Sequence, residues 1–581
     1  MNFIKSKNLS SFRLFSLCLF FMSTLAFSQK KDENIGTEVV NVVKPYTPTI
    51  SDAFKVKETP SLDDEETQKK ENIKYTIFSF PVASTFAPAK GKAAGVDKSP
   101  QEKIFSNYLT LAAGNYGTVN AELFVTENVS NTDYFGGMLR HSSSQGGIDG
   151  VVLDDKFMNT TLDLTYGSRT NTMNWNADLG YQHQIYNWYG FYPGTITPET
   201  LATIDEQQTY HTLYVGGRLG LKNVLKESSV KFTRFWDAFG SGENRFVAKP
   251  SLEFDIVEQK IKADFVLDYI SGSFDKNIVG NAGIKYGFTN VGFQPSIKIQ
   301  KDDLTVNAGV GFFYSAAQEQ GESKFFIYPQ VTGSYRVVGD LMIFYAGLEG
   351  GLKQNSFRDF AQENFFVSPT LLVAPTDQKY DIYVGLKGKL ANSVSYNIRG
   401  SYLNEDNRAL FKSNGYEELV GFEGYQYGNS FNVVYDKLKT VSFFGELRAD
   451  FSKNVAFGIN GTFSSYSTDI ENEAWNLPAL KIGTNLDVNI TQKWYAGANL
   501  FFVGERKDFA HFASLTQPTF DTEVTLDSYF DLNAHVGYKH SERLTFFLKG
   551  NNLANQDYQR WLNYPVQGLQ VLGGANYKFD F

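Results

Sequence analysis

A single cysteine, Cys18, occurs in this chain of 581 residues, and it lies inside the N-terminal apolar segment. Without that segment there is no disulfide, no thiolate metal site and no cysteine nucleophile. Basic charge is also short. The balance of 54 Lys and Arg against 63 Asp and Glu leaves −9, which argues against nucleic acid because phosphate binding needs clustered cations. The 6 histidines, His141, His183, His211, His511, His535 and His540, are dispersed, and no two have metal-ligand spacing. No GxSxG, HExxH or Gly-Lys-Ser/Thr phosphate loop is present. The chain therefore reads as a non-enzyme with no cofactor or metal. Beyond the N-terminus, no stretch offers roughly 18 uninterrupted apolar residues, so membrane-spanning helices are excluded.

What is abundant is aromatic residues and glycine: 33 Tyr, 51 Phe and 50 Gly, in a chain of negative mean hydropathy. The N-terminus supplies an export signal. Lys5, Lys7 and Arg13 precede an apolar run from Leu14 to Leu25, and Ala26-Phe27-Ser28 sets small residues before Gln29. Residues 1–28 are read as a cleaved signal peptide. Residues 29–104 hold Pro45, Pro48, Pro60, Pro81, Pro88 and Pro100 and charge runs such as SLDDEETQKKENIK. Their weak alternation predicts an extended or partly disordered periplasmic tail. Two patches in it, 38–56 and 75–88, have the character of extended docking segments.

From residue 105 to 581 the pattern is period-2 throughout. In LKIGTNLDVNI (480–490), Ile482, Thr484, Leu486, Val488 and Ile490 alternate with Lys481, Gly483, Asn485, Asp487 and Asn489. KIKADFVLDYI (260–270), NTMNWNADLGYQ (171–182) and FDLNAHVGYK (530–539) alternate likewise, with His535 in the polar register. Turns such as SKNV (452–455), ITQKW (490–494) and KHSER (539–543) are too short for crossovers, so the strands are antiparallel. Longer polar connections at 404–429, 466–479 and 507–528 alternate with the tight ones. One tight rim, one looped rim and aromatic-rich segment ends predict an all-β, transmembrane antiparallel β-barrel. Lipid takes the apolar register, and closure follows because lipid cannot satisfy an open sheet edge. The count is about 22 strands, within a range of about 20–24, and the segment 430–452 reads as one long strand.

The chain ends GLQVLGGANYKFDF, and Tyr577, Phe579 and Phe581 share one register of that last strand. It is expected to close the barrel and to act as the signal for the barrel-assembly machinery. In the long connections, Tyr416, Phe422, Tyr425, Trp475, Phe509 and Phe520 are candidate extracellular-loop contacts, for a ligand or for one another.

Three stretches resemble the barrel of Bacteroidota TonB-dependent receptors. They are NFFVSPTLLVAPTDQKYDIYVGLKGKLANSVSYNIRGSY (364–402), EAWNLPALKIGTNLDVNITQKWYAGANLFFVGERKD (473–508) and FFLKGNNLANQDYQRWLNYPVQGLQVLGGANYKFDF (546–581). The resemblance implies a receptor or transporter in the outer membrane of a Gram-negative bacterium, gripped by TonB near its N-terminus. Glu38, Val39, Val40, Asn41, Val42 and Val43 have the position and character of a Ton box. The family's plug domain, longer than 29–104, has no counterpart in the sequence. The plug is therefore expected to be reduced or supplied by a partner. The alternative is a structural or assembly subunit of an outer-membrane complex, its periplasmic tail docking a partner.

Overall fold

The computed structural model describes residues 103–581, apart from 192–195, 223, 257–258, 279–281, 320, 418–422 and 514–519. The signal peptide, all but the end of the tail, the candidate Ton box and both docking patches lie outside the described residues.

Twenty-two antiparallel strands form one closed barrel, from β1 (Asn107–Gly114) to β22 (Gln570–Phe579). Each pairs with the next, and β1 pairs with β22 from Asn107↔Phe579 to Gly114↔Leu572, leaving no free edge. The closing role expected of the final segment is borne out. One strand, β8, comes in two pieces, Gly242–Lys249 and Ser251–Ile256, both paired to β9 (Gln259–Phe274). Pro250 separates them because proline brings no N–H to the ladder. The segment 430–452 is one strand, Phe431–Ser452.

The wall is apolar outside and polar inside, as strand alternation dictates. On β6 (Gln207–Leu221), Leu213 and Val215 face outward and are 42% and 52% exposed, whereas inward Gln208, Tyr210 and Thr212 are 1–2% exposed. Glycines let the inward aromatics lie flat across the wall. Tyr214 of β6 crosses Gly180 of β5 (Met173–Asn187), and its hydroxyl donates to Asp163 of β4 (Phe157–Arg169) at 2.5 Å. A Cβ on Gly180 would stand 2.2 Å from that ring. Tyr286 crosses Gly272 in the same way to reach Glu243 at 2.6 Å.

The two rims differ. Where β1 starts and β22 ends, the turns are tight, as at 302–303, 392–393 and 453–454. At the opposite rim lie 188–206, 354–375, 414–430, 468–479, 504–528 and 552–569. Two expected loops are corrected. Residues 404–413 are strand, not loop, because Val394–Ser413 runs on past the polar NEDNR. There Asn407, at φ 57°, makes a bulge, and its carbonyl and amide bond to Thr376 and Pro375. Most of 507–528 is also ordered, as a hairpin of Arg506–Ala513 and Phe520–Leu526 whose first strand pairs with Tyr416–Glu417.

Candidate functional site

From the looped rim the connection 354–375 turns into the lumen. Its helix, Phe357–Glu363, starts at Ser356, whose hydroxyl accepts from the Asp359 N–H at 3.0 Å. The helix buries Phe357, Phe360 and Ala361 and leaves Arg358, Asp359 and Gln362 on its polar side. The apolar side meets inward residues near the looped ends of neighbouring strands: Tyr210, Phe235, Ile270, Phe274, Tyr286 and Phe288. Phe357 stands edge-on to Phe235 and Phe274 at 4.9 and 4.8 Å between centroids. Such pairs add to what their buried area contributes.

Polar anchors fix this connection to the wall. Glu243 accepts from the Phe357 N–H at 2.6 Å, meeting one unsatisfied donor of the helix start. Arg245 bridges Asp268 of the wall (2.7 Å) and Asp359 of the helix (3.0 Å). The Tyr210 hydroxyl donates to the Phe365 carbonyl at 3.1 Å, and Trp188 Nε1 to the Phe366 carbonyl at 3.2 Å.

Other connections complete a cap. Tyr564, from 552–569, stacks on Phe366 with centroids 3.7 Å apart and donates to the Asn429 carbonyl. The loop aromatics singled out in the sequence fall into this cap. Tyr425 and Trp475 are 1% and 2% exposed. Tyr425 packs against Trp188 (5.6 Å), and Trp475 donates to Glu471 and meets Phe509 edge-on at 6.1 Å. Tyr416 stacks on Phe512 at 5.1 Å. Phe422 and the side chain of Phe520 lie outside the described residues. Asp508, at 0% exposure, accepts from the N–H groups of Ser413 and Phe509 and from Asn476 Nδ2. Burial nonetheless pushes its carboxyl up to about 6, because these donors only partly replace lost water.

At the far rim, Tyr577 and Phe581 are exposed on the outer surface, with Phe579 stacked on Tyr577 at 6.2 Å. The histidines stay scattered. His183 and His211 stack at 4.8 Å across β5 and β6, and His535 packs on Tyr495 in the lumen. Among the described residues no group of His, Cys, Asp and Glu could hold a metal ion. The residues the sequence reading missed are those of the lumenal helix. Their signal was Ser356-x-x-Asp359, a helix-start pattern that encloses Phe357 and directly precedes Phe360.

Several cavities flank the cap among the described residues. One of about 360 Å³ is lined by Tyr189, Phe366 and Trp561 of the cap, by Tyr186 at the looped end of β5, and by Arg560. Another, of about 670 Å³, is polar and lies in the lumen under the helix.

No protein-family model matches this sequence, and no curated protein does. Solved structures do match. FpvA of Pseudomonas aeruginosa, bound to heterologous pyoverdines, superposes with a TM-score of 0.61 at 11% identity over 83% of this chain and 72% of FpvA. The ferric-catecholate import receptor Fiu from E. coli K12 gives 0.59 at 11% identity, over 83% of this chain and 82% of Fiu. The FrpB iron transporter from Neisseria meningitidis gives 0.63 at 10% identity, over 82% of each chain. This chain has their fold. These neighbours are TonB-dependent receptors with 22-strand barrels. At such identities the likeness is one of architecture, and the ligands of those proteins are not carried over with it.

Proposed function

We propose that this chain is an outer-membrane receptor or transporter of the TonB-dependent type whose own loops close the mouth that a plug closes in its relatives. The observation that carries this is the inward turn of 354–375, whose Phe357 packs against Tyr210, Phe235 and Phe274 on the inner face of the wall. A barrel of this width without a closure would leak, and an aromatic core at one mouth is a closure. In this reading residues 1–28 direct export and Tyr577, Phe579 and Phe581 address the barrel-assembly machinery. The apolar register meets lipid of a Gram-negative outer membrane. The looped rim is extracellular. Glu38 to Val43 engage TonB, or the patches 38–56 and 75–88 engage a partner that completes a reduced plug.

A second reading has specific support. Trp188, Trp475, Tyr425 and Tyr564 are at most 2% exposed, and a mouth sealed that tightly suits a scaffold subunit of a larger complex. Planar-bilayer recording separates the two when joined to purification from native membranes. Receptor behaviour is a quiet full-length barrel, a large stable conductance once 357–366 is replaced by a short Gly/Ser linker, and nutrient uptake lost on deleting 29–60. A fixed, stoichiometric partner with no uptake by any route would overturn transport and leave the scaffold. A full-length barrel that conducts as freely as the deletion would overturn the closure.

A further inference from the structure

The lumenal cavity under the helix is lined by more cations than carboxylates. Along β6 the chain runs from looped rim to tight rim. Thr212 and Tyr214 therefore lie one and two inward positions below Tyr210, which packs on Phe357. The cavity faces this level of the wall, and the polar side of the helix forms its roof through Arg358 and Gln362. Gln362 is held there by the carbonyl oxygens of Gln182 and Gln184 at 3.2 and 3.1 Å.

Four cations, Arg140, Lys231, Arg358 and Lys549, line the cavity against two carboxylates, Glu122 and Asp163. Both carboxylates are already engaged. Asp163 accepts from Tyr214 at 2.5 Å and Arg140 at 3.1 Å, and Glu122 accepts from Tyr108. Lys231 rests over the Tyr214 ring at 4.0 Å and Lys549 near the Phe547 ring at 5.3 Å. Among the described residues neither has a carboxylate within ion-pair distance. Arg358 has Asp359 at 3.5 Å, a carboxylate it shares with Arg245 at 3.0 Å. Two donors here are buried without a partner: Arg358 Nε and Thr212 Oγ1, the latter on a residue 2% exposed. A third orphan on the same wall, Asn120 Oδ1, is an acceptor.

We propose that this cavity binds a small hydroxylated oxyanion, a phosphate or carboxylate solute that enters or leaves through the lumen. Arg358 offers a planar fork to two anion oxygens, Lys231 and Lys549 act as point charges, and Thr212 donates from the wall. Asn120 Oδ1 accepts a hydrogen bond from a ligand hydroxyl. Because Arg358 belongs to the cap and the lysines to the wall, the ligand bridges the two, so its binding is coupled to the cap's position. This deepens the transport reading, on which it rests for the solute's passage but not for its binding.

The test is calorimetric titration of the full chain in detergent with inorganic phosphate, and separately citrate, at fixed ionic strength with chloride as control. Saturable binding is expected for at least one oxyanion and not for chloride. Lys549→Gln, Lys231→Gln and Arg358→Gln should each weaken it about tenfold or more, the order for a lost charge-assisted contact. Arg358→Lys should recover only part, since it restores charge without the fork. If Arg358→Gln fails to fold, the two wall lysines carry the test alone. No saturable binding at millimolar oxyanion would overturn the site, as would binding unchanged by the lysine variants. Binding of an acidic peptide but not of phosphate or citrate would overturn it too. Oxyanion binding without uptake removes the transport reading and leaves the site. Uptake of another solute without oxyanion binding removes the site and leaves transport.

Discussion

Along the wall, Val384 and Phe443 stand 53% and 59% exposed while Asn290 and Asp268 are buried. In the cap, Phe357, Val367, Leu371 and Tyr564 are buried within one apolar cluster, as in a water-soluble domain. The same chain thus packs by two opposite rules within one structure, because the solvent differs: lipid outside the wall, water above the cap. The wall is held by a closed ladder of backbone hydrogen bonds that lipid cannot compete for. The cap is held by aromatic packing and a few buried polar anchors, which substitution can remove one at a time. The cap should therefore be able to loosen while the wall stays shut.

Phe357→Ala puts that difference under the heaviest load. The ring fills the junction of three strands, and its loss should destabilise the cap by about 3–5 kcal/mol. The expected result is protease-sensitive loops and a raised bilayer conductance, while the barrel keeps its heat-modifiable migration on gels. Loss of folded barrel together with the cap would show the two regions to be one cooperative unit.

Val384→Arg loads the other side. An arginine on the lipid face near mid-strand should cost about 2–4 kcal/mol of barrel stability. It should lower the denaturant midpoint of the barrel in bilayers, with the cap's protease resistance unchanged below that midpoint. An unchanged barrel midpoint would mean that Val384 does not face lipid.

The wall was legible in the sequence because its signal is local. Ile482 to Ile490 alternate within nine positions, and the two-register pattern recurs to Phe579. The cap was not, because its core joins Tyr210, Phe357, Phe431 and Tyr564, residues brought together only by closure of the barrel. Tyr425 and Trp475 were visible as loop aromatics, but their burial depends on Trp188 and Glu471, which no periodicity connects to them. Polar runs misled at 404–413, where the NEDNR stretch looks like loop yet is satisfied by ladder and bulge.

Asp508 sharpens the comparison through pH, since its burial lies in the cap and not in the wall. In the folded cap its carboxyl sits at about 6, above the ordinary 3.8, so the folded form holds the proton more tightly. The stability gained is fully present below about pH 4 and is lost as pH rises through about 6, a difference of about 3 kcal/mol. The denaturant midpoint reported by Trp188 and Trp475 fluorescence should fall between pH 5 and pH 7.5. Asp508→Asn should flatten that dependence, and a fall that persists in the variant would assign it to another group.

Ser356→Ala should give the smallest effect, about 1 kcal/mol, because it removes one capping acceptor and leaves the helix's phenylalanines in place. The Asp359 N–H would lose its 3.0 Å partner at a site shielded from water, since Ser356 is 1% exposed. Hydrogen exchange in 356–363 should quicken about fivefold in Ser356→Ala, with Ser356→Thr close to wild type and wall amides such as those of β22 unmoved. Equal acceleration in the wall would mean that the helix is part of the barrel's own folding unit. An effect confined to 356–363 would place the first step of opening at the helix start, beside Arg358 and the lumenal cations.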